Sequence, residues 1–374
     1  MKLTYKFIND EKNLSIEKID VLAPEQVLVY IKEGDTLYIK NEEYVYRNQL
    51  IKKSANGIKT YASVSGKCKI DDRTITITND CKEQDEGRTE AIEKISELSK
   101  SEILKKVEDL GIEYDNKLIV NNLKEGGKVL VVNGIDVEPY QFNNNYLFQD
   151  NVKDLLDTIN LIAKKFELEA YLLLNDYDDN NVNLVNSYIG SYPNIKFKIL
   201  KETFPYNANI MVAEKYFTEY KLADMVFMDT MVLYKIFIAL KRNLPVNERY
   251  VTICCKDLDK VYMVKAKYGT LFKEVLKPCI GDDRDNKDFY INNFMRKIKC
   301  GNIDSLIVSD NIKTVFITDK NEDVELGCIK CGKCVDICPV KINPMDKKLN
   351  YACIRCGLCN YVCPANINLI NKEK

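Results

Sequence analysis

Apolar residues near the start of the chain come in short runs that show no helical period. The runs are rich in β-branched and aromatic residues, and charged or glycine-containing turns such as Glu33-Gly34-Asp35 separate them. This pattern is typical of short β-strands. It predicts a small β barrel or sandwich over residues 1–80, with strands at Gln26–Ile31, Thr36–Lys40, Tyr61–Ser65 and Thr74–Thr78.

Residues 81–97 are polar and charged and are predicted to form a linker, after which the pattern changes. Across residues 98–245, continuous apolar runs alternate with stripes at helical spacing, which indicates a parallel sheet covered by helices. Ser101 is placed to cap the first helix and Gly111 to end it, and Asp229 is placed to cap the last. The predicted buried strands are Val129–Val132, Tyr171–Leu174, Ile195–Leu200 and Met225–Met228.

Residues 246–325 are predicted to form a small α+β unit. Tyr250–Cys254 and Val261–Lys265 are expected to pair as strands, and Tyr268–Leu276 is expected to be a turn that leads into a helix. Two further strands are predicted at Ser305–Ser309 and Thr314–Thr318. Neighbouring residues of a strand point to opposite faces, so the two adjacent cysteines of the first run are expected to be separate buried thiols.

The last part of the chain, residues 326–374, contains two copies of one cysteine pattern, C-x2-C-x2-C-x3-C-P, at Cys328–Pro339 and Cys353–Pro364. This run binds the cubane clusters of two-cluster ferredoxins, in which the fourth cysteine of each run ligates the other cluster. The pattern therefore predicts a ferredoxin domain with two [4Fe–4S] clusters. The first would be held by Cys328, Cys331, Cys334 and Cys363, and the second by Cys353, Cys356, Cys359 and Cys338.

Two other uses of these cysteines fit less well. Structural zinc favours pairs of cysteines that are separated by a longer loop and are often joined by histidine, and the chain has no histidine. A disulfide framework is typical of short secreted chains. The absence of histidine also excludes a Ser-His pair, a Rieske centre and a His-ligated haem, and leaves electron transfer open.

Composition narrows the class of protein further. The 374 residues are 46% hydrophobic and 30% charged, as in an ordinary folded protein of about two to three domains. A net charge of −1 gives no basic surplus, so no nucleic-acid partner is expected. The 14 cysteines, without a signal-like segment before them, favour the reducing cytoplasm, and no apolar run reaches the roughly 18 residues of a membrane span.

Two acidic residues, Asp136 and Glu138, follow the first predicted strand of the parallel sheet. Ligands of open parallel sheets lie beyond the carboxyl ends of the strands, so these side chains are candidates for cofactor binding. An ordinary β-turn with solvated acids is the alternative interpretation. Gly126-Gly127 precedes the strand and does not link it to a helix, so it is no dinucleotide-binding fingerprint.

The order of these parts resembles the C subunit of the Rnf-type ferredoxin:NAD electron transport complex and the soluble paralogues of that subunit. The resemblance implies a barrel-sandwich hybrid at residues 1–80 and a domain like the flavin- and NADH-binding domain of the complex I 51-kDa subunit at 98–245. It also implies an SLBB-like β-grasp unit at 246–325. Besides the two cysteine runs, the matching pieces are Tyr61–Lys67 (YASVSGK), Val131–Tyr140 (VVNGIDVEPY), Glu248–Ile253 (ERYVTI) and Tyr268–Leu276 (YGTLFKEVL).

The chain departs from that family at one loop. The family carries a glycine-rich stretch, GGAGFPT, which holds the flavin phosphate; the matching stretch here, Leu110–Leu118, keeps one glycine and introduces Glu113 and Asp115. Side chains fill the space that glycine leaves open, and carboxylates repel a phosphate. Asp136 and Glu138 match the paired acids of the family, so FMN or NADH is the ligand that the resemblance implies for them.

Three functions from different classes follow from these observations. The leading hypothesis is a cytoplasmic iron–sulfur electron carrier that relays electrons from a low-potential donor to a redox partner. That partner would be ferredoxin or another subunit of a complex, and the chain could be peripheral to the cytoplasmic face of a membrane assembly. The alternatives are a flavin-containing, NADH- or ferredoxin-linked oxidoreductase subunit and an interaction module whose clusters only brace the fold.

Overall fold

The computed structural model describes residues 14–85, 95–110, 112, 123–124, 126–176, 178–201, 203–255, 260–320, 324–346 and 352–370. The N-terminal part is all β, as predicted, but the strand expected at Tyr61–Ser65 is not observed, because residues 62–65 connect two other strands. Its strands are β1 Ser15–Val21, β2 Gln26–Tyr30, β3 Thr36–Leu37, β4 Tyr44–Val45, β5 Leu50–Lys53, β6 Lys59–Tyr61, β7 Gly66–Ile70 and β8 Thr74–Asn79.

Seven of these strands form two small antiparallel sheets, ordered β2-β8-β7-β4 and β3-β5-β6. Both sheets contribute side chains to one apolar core. Val27, Val45, Ile51, Ile75 and Ile77 are buried there and are at most 1% exposed. A core of this kind removes the apolar face of each sheet from water, which is the main driving force for bringing the two sheets together.

The second part alternates strands and helices. Its elements are α1 Lys100–Asp109, β9 Val129–Asn133, α2 Asn143–Phe166, β10 Glu169–Asn175, α3 Asp179–Asn186, β11 Ile195–Leu200, α4 Asn209–Tyr216, β12 Met225–Asp229 and α5 Thr230–Arg242. The four strands are parallel and ordered β11-β10-β9-β12. The predicted parallel sheet is confirmed.

Helices cover both faces of this sheet, which explains its continuous apolar strands. Leu130 and Val132 of β9 pack with α1, α2, α3 and α5 on one face. Val129 and Val131 pack with α4 on the other face. All five residues of β9 are buried, so the strand lies in the centre of the domain.

Of the two helix N-caps predicted for this domain, the one at the last helix is observed and the one at the first helix is not. Asp229 caps α5 as predicted, because its carboxylate accepts the N–H of Val232 at 2.9 Å. Ser101 was the expected cap of α1, but the structure places Ser99 there, in a reciprocal capping box with Glu102. The prediction was wrong because Ser99 and Glu102 satisfy two terminal N–H groups together, whereas Ser101 satisfies none.

The third part is a five-stranded mixed sheet with one helix packed against it. Its remaining elements are β13 Glu248–Cys255, β14 Lys260–Lys267, α6 Phe272–Ile280, β15 Lys287–Ile291 and β16 Thr314–Asp319. The strand order is β1-β14-β13-β16-β15, with β13 and β14 antiparallel as expected. Strand β1 from the start of the chain pairs in parallel with β14 at the sheet edge.

Two sequence expectations for this sheet have different outcomes. Cys254 and Cys255 are both buried and lie in separate apolar clusters, so they do point to opposite faces. The strand expected at Ser305–Ser309 is absent from the described structure: a 3₁₀ turn occupies Ile303–Ser305 and only an isolated bridge forms at Ile307. The Asn302 side chain accepts the N–H of Asp304 and so favours the turn over an extended strand.

The C-terminal part contains the two cysteine runs and two short helices, α7 Lys333–Asp336 and α8 Leu358–Tyr361. The second run packs onto the mixed sheet through Met295 and Leu358, which are at most 2% exposed and share an apolar cluster with Phe204. Across the described residues, no helix combines the length and apolarity that crossing a membrane requires.

Candidate metal centre

The two cysteine runs have the same backbone conformation. In each, a residue with positive φ follows the first cysteine by two positions, and a glycine with positive φ precedes the short helix: Lys330 and Gly332 in the first run, Arg355 and Gly357 in the second. The N–H groups of Lys330 and Arg355 donate to the Sγ atoms of Cys328 and Cys353, each at 3.4 Å. The repeated sequence therefore forms two equivalent thiol-bearing loops.

Four thiols from both runs line one cavity of about 350 Å³. They are those of Cys328, Cys331, Cys334 and Cys363, the four that the sequence assigns to the first cluster. Burial raises the pKa of the Cys334 thiol, and the neighbouring Cys331 and Cys363 raise it further. A cationic centre would offset this repulsion and hold the thiols as thiolates, which is the ligating form.

The other four cysteines lie in a more buried part of the same segment. Burial raises the pKa of the Cys356 thiol, and Cys338 and Cys353 add to the rise. Burial also raises the pKa of Cys359 to about 12, with further contributions from Cys356, Cys353 and Cys334. Cys338 of the first run thus lies close enough to Cys356 of the second run to affect the pKa of its thiol.

The donor set fits an iron–sulfur cube better than a single ion. Among the described residues, no three cysteine or carboxylate side chains come close enough together to hold one metal ion. The thiols of the first set line a cavity instead, and a cube placed between four thiolates keeps them further apart than the ligands of one ion. The chemistry of the site, all sulfur and no histidine, is that of a [4Fe–4S] centre.

Asp136, the first of the two acidic candidates, lies at the start of α2. Its carboxylate accepts the backbone N–H groups of Asn144 and Asn145, at 2.9 and 3.0 Å. Burial raises the pKa of Asp136 to about 8, and these two hydrogen bonds oppose the rise. The side chain thus satisfies the helix N-terminus, whose own cap residue makes no side-chain bond. The FMN or NADH contact expected for Asp136 stays a prediction.

Glu138, the second acidic candidate, is bound by two residues of the third part of the chain. Its carboxylate accepts a hydrogen bond from Asn293 Nδ2 at 2.5 Å and forms an ion pair with Arg296 Nη2 at 2.7 Å. Burial raises the pKa of Glu138, and Arg296 and Asn293 oppose that rise. Asn293 and Arg296 were not singled out in the sequence, because a lone Asn or Arg in a loop carries no local signal of its partner. A flavin contact of Glu138 also stays a prediction.

A second cavity, of about 650 Å³, lies at the carboxyl ends of β9 and β12 and is lined by Glu138. Its position is the usual ligand position of a parallel sheet. Its two acids are paired with cations, Glu138 with Arg296 and Asp229 with Lys313, the latter at 3.2 Å. The altered loop at Gly111–Leu118, which would supply phosphate contacts, lies outside the described residues apart from Ile112.

The two thiol-bearing loops differ in what covers them. The first is exposed from residue 324 to residue 333, whereas Gly357, Leu358, Cys359 and Asn360 of the second are buried. The 3₁₀ helix Phe294–Arg296 packs on the second loop, with the rings of Phe294 and Tyr361 5.8 Å apart. One loop therefore faces solvent and the other faces the body of the protein.

This difference predicts unequal effects of the same glycine substitution. Alanine at positive φ costs about 1–2 kcal/mol at either Gly332 or Gly357. At Gly357 the added Cβ would also lie 2.9 Å from the carbonyl carbon of Met295, whereas nothing lies within 4 Å at Gly332. We expect Gly357→Ala to accelerate chelator-driven iron release and lower the unfolding temperature clearly more than Gly332→Ala. Equal losses would contradict the observed packing.

Comparison with known proteins supports this description of the site. Residues 325–341 and 350–366 match a family model described as a 4Fe-4S binding domain. The two matched stretches contain both cysteine runs, so the prediction of two [4Fe–4S] clusters is confirmed. The fold and the site define a multidomain α/β protein with a 4Fe-4S binding domain.

In sequence, the chain is related to the C subunit of Rnf-type, ion-translocating oxidoreductase complexes, which confirms the predicted resemblance. It is 23% identical to the C subunit of the proton-translocating ferredoxin:NAD(+) oxidoreductase complex of Clostridium ljungdahlii, over 58% of this chain and 49% of that protein. It is 21% identical to the C subunit of the ion-translocating oxidoreductase complex of Haemophilus influenzae, over 82% and 52%. The chain spans about half the length of these curated relatives.

Among solved structures, the chain is similar to an NAD+-reducing [NiFe]-hydrogenase in the H2-reduced state. The TM-score is 0.51 at 10% sequence identity, covering 62% of this chain and 48% of that one. This likeness concerns the fold alone. Together with the observed sheet, it confirms the expectation of a multidomain α/β protein.

Proposed function

We propose that this protein relays electrons through its two [4Fe–4S] clusters, between a low-potential donor and a partner redox protein. The observation that carries the proposal is the cavity lined by Cys328, Cys331, Cys334 and Cys363, which come from both cysteine runs. Clusters of this type accept and release one electron at a time. The function needs no acid–base or nucleophilic residue, in agreement with a site of thiols, amides and apolar side chains.

The ligand assignment is part of the same proposal. The first cluster is held by the four thiols that line the cavity, and the second by Cys338, Cys353, Cys356 and Cys359. Besides burial, Cys331 and Cys363 raise the pKa of the Cys334 thiol, and Cys338 and Cys353 raise that of the Cys356 thiol, which supports this division. Cys334 also contributes to the raised pKa of Cys359, so the two sets of thiols lie close to each other. Backbone N–H groups near the sulfurs would tune the potential of each cluster.

The first cluster is the one that meets the partner in this proposal. Five large apolar side chains are exposed around its loop, and Ile329 is 66% exposed. The charged residues that line the cavity, Lys330 and Lys333, are both cations, so they favour a partner with an acidic contact surface. We define this apolar patch as Val324, Leu326, Ile329, Val335 and Met345.

A substitution in the apolar patch tests this docking surface. Leu326→Asp places a carboxylate in the patch without changing a residue that lines the cavity. We expect the second-order rate of electron transfer from a reduced acidic ferredoxin to the oxidised clusters to fall about tenfold, with both cluster potentials unchanged, because an unpaired carboxylate repels an acidic partner. Ile189→Asp, at an exposed position of the α/β domain, is the matched control. Equal rates in the two variants would show that the partner does not bind at the apolar patch.

Cofactor analysis tests the function itself. Protein purified without oxygen is assayed for iron, sulfide and flavin per chain, and its absorption spectrum is recorded before and after NADH and dithionite. About eight irons, no flavin, and reduction by dithionite but not by NADH are the results expected for two [4Fe–4S] clusters in an electron carrier. Stoichiometric flavin that is bleached by NADH would favour the oxidoreductase alternative.

The finer domain assignment, the partners and the location also belong to the proposal. We assign the N-terminal sheets to a barrel-sandwich-like domain and the mixed sheet to an SLBB-like β-grasp unit, with divisions near residues 80, 97, 245 and 325.

The names of the curated relatives describe subunits of complexes, which supports association with other redox subunits or with ferredoxin. We place the protein in the cytoplasm, peripheral to a membrane complex.

A further inference from the structure

The loop of the second cluster is held from outside by two side chains of the mixed-sheet unit. Asn293 Nδ2 donates to the carbonyl oxygen of Cys356 at 3.1 Å. Arg296 Nε donates to the carbonyl oxygen of Arg355 at 2.9 Å. Asn293 is 2% exposed, so this contact is shielded from water. Two successive peptide groups of the loop are therefore fixed by neighbouring residues.

Glu138 joins these two side chains. Its Oε2 accepts from Asn293 Nδ2 at 2.5 Å, and its Oε1 accepts from Arg296 Nη2 at 2.7 Å. The acid comes from the turn after β9 and thus from the α/β domain. We call Glu138, Asn293 and Arg296 the Glu138 clamp, since one carboxylate orients both donors. Charge-assisted hydrogen bonds of this kind are stronger and more directional than neutral ones.

The first cluster loop has no equivalent support. Its matching carbonyl groups belong to Lys330 and Cys331, and both residues are exposed. In the described part of the chain, neither carbonyl accepts a hydrogen bond from a residue outside the loop. The clamp thus holds only the second loop, although the two loops have the same backbone conformation. Closing such a loop does not by itself require the clamp.

A fixed carbonyl also fixes the amide on the other end of its peptide plane. The planar trans peptide points its C=O and N–H in opposite directions. Holding the carbonyls of Arg355 and Cys356 therefore orients the N–H groups of Cys356 and Gly357 away from the clamp. Hydrogen bonds from such amides to cluster sulfurs set the reduction potential, because they stabilise the more negative, reduced cluster.

We propose that Glu138, acting through Asn293 and Arg296, is a positioning residue that fixes the loop of the second cluster and thereby sets its reduction potential. The inference rests on the proposed assignment of Cys353, Cys356 and Cys359 to that cluster. It also gives the acidic turn of the α/β domain a role that needs no bound flavin. The two clusters then differ in potential although their sequence runs are alike.

Two variants that keep every charge test the clamp. Arg296→Lys removes the Nε donor, and Glu138→Asp shortens the acid by one methylene so that it cannot reach both partners. We expect each variant to lower one of the two cluster potentials, by about a tenfold change in the reduction equilibrium, or ~59 mV for one electron. The other potential should be unchanged. Redox titration followed by electron paramagnetic resonance separates the two clusters.

Controls separate this inference from the proposed function. Arg284→Lys changes an arginine of the same unit that pairs with Asp304, and it should leave both potentials unchanged. The double variant Glu138→Asp/Arg296→Lys should resemble either single variant, because the residues act as one unit. Iron content and circular dichroism verify that each protein is loaded and folded.

Each result then has a definite meaning. If the unaltered protein binds two clusters but Arg296→Lys behaves like Arg284→Lys, the clamp is only a structural contact and the inference is wrong. Equal shifts of both potentials in Arg296→Lys would also overturn it, since the clamp touches one loop. If the unaltered protein fails to bind two clusters, the proposed function itself fails, and the inference fails with it.

Discussion

Replacing Cys338 with alanine is expected to eliminate the cluster of the second cysteine run, although Cys338 lies in the first run. The thiol of Cys338 contributes to the raised pKa of Cys356, whereas the thiols of the first set line a separate cavity. Loss of one thiolate leaves an iron without its ligand, so the whole cube is released. We expect iron per chain to fall by about half in the anaerobically purified protein.

Double variants turn this expectation into a choice between two ligand schemes. If each run crosses over to the other cluster, Cys328→Ala/Cys338→Ala damages both clusters and loses nearly all the iron. The same scheme predicts that Cys338→Ala/Cys356→Ala keeps one cluster intact. If each run held its own cube, these two results would be exchanged. Cys81→Ala, at an exposed cysteine outside both runs, is the control and should keep the full iron content.

Local patterns in the sequence were sufficient for much of the fold. The apolar run at Val129–Val132 predicted a buried parallel strand because side chains there meet helices on both faces. The doubled cysteine spacing predicted the cluster loops because each loop is closed by residues a few positions apart. Asp229 was recognisable as a cap for the same reason. In each case the signal and the structure lie within one turn or one strand.

Contacts between distant residues could not be predicted in this way. Strand β1 pairs with β14, and no residue of Ser15–Val21 indicates that its partner is 245 positions further on, as in the pairing of Ser15 with Lys260. The hydrogen bonds from Asn293 and Arg296 to Glu138 join two distant parts of the chain, and single polar residues carry no pattern. The error at Ser101 is different, since the Ser99–Glu102 capping box was visible in the sequence.

Asp310→Asn is expected to destabilise the protein strongly, by about 3–5 kcal/mol. The Asp310 carboxylate accepts Lys235 Nζ at 2.5 Å and Tyr268 OH at 2.6 Å, and it pairs with Arg249 Nη1 at 3.4 Å. Lys235 and Arg249 are only 9% and 5% exposed, so the substitution leaves two buried cations without their counter-charge. Because Lys235 belongs to α5 and Asp310 to the mixed-sheet unit, the pair also joins two parts of the chain. The shift of the urea-unfolding midpoint measures the effect.

Asp150 provides a matched control on the surface. Like Asp310, it accepts hydrogen bonds from one lysine and one tyrosine. The donors are Lys18 Nζ at 3.3 Å and Tyr250 OH at 2.6 Å. The Lys18 and Asp150 side chains are 50% and 38% exposed, so Asp150→Asn should cost about 1 kcal/mol or less. Similar costs for the two variants would show that burial does not strengthen the Asp310 network. Lys235→Met combined with Asp310→Asn should recover part of the loss, since only one buried cation then remains.

The Asp310 network also predicts a dependence of stability on pH. Burial raises the pKa of Asp310, but Lys235 and Arg249 outweigh burial and hold its pKa below the ordinary value of 3.8. An acid whose pKa is lowered in the folded state stabilises the fold above its unfolded pKa, and that contribution is lost as the pH falls towards the folded pKa. The urea midpoint of the unaltered protein should therefore fall below about pH 5, and that of Asp310→Asn should fall less steeply. Parallel pH profiles for the two proteins would show that Asp310 is not held ionised by its two cations.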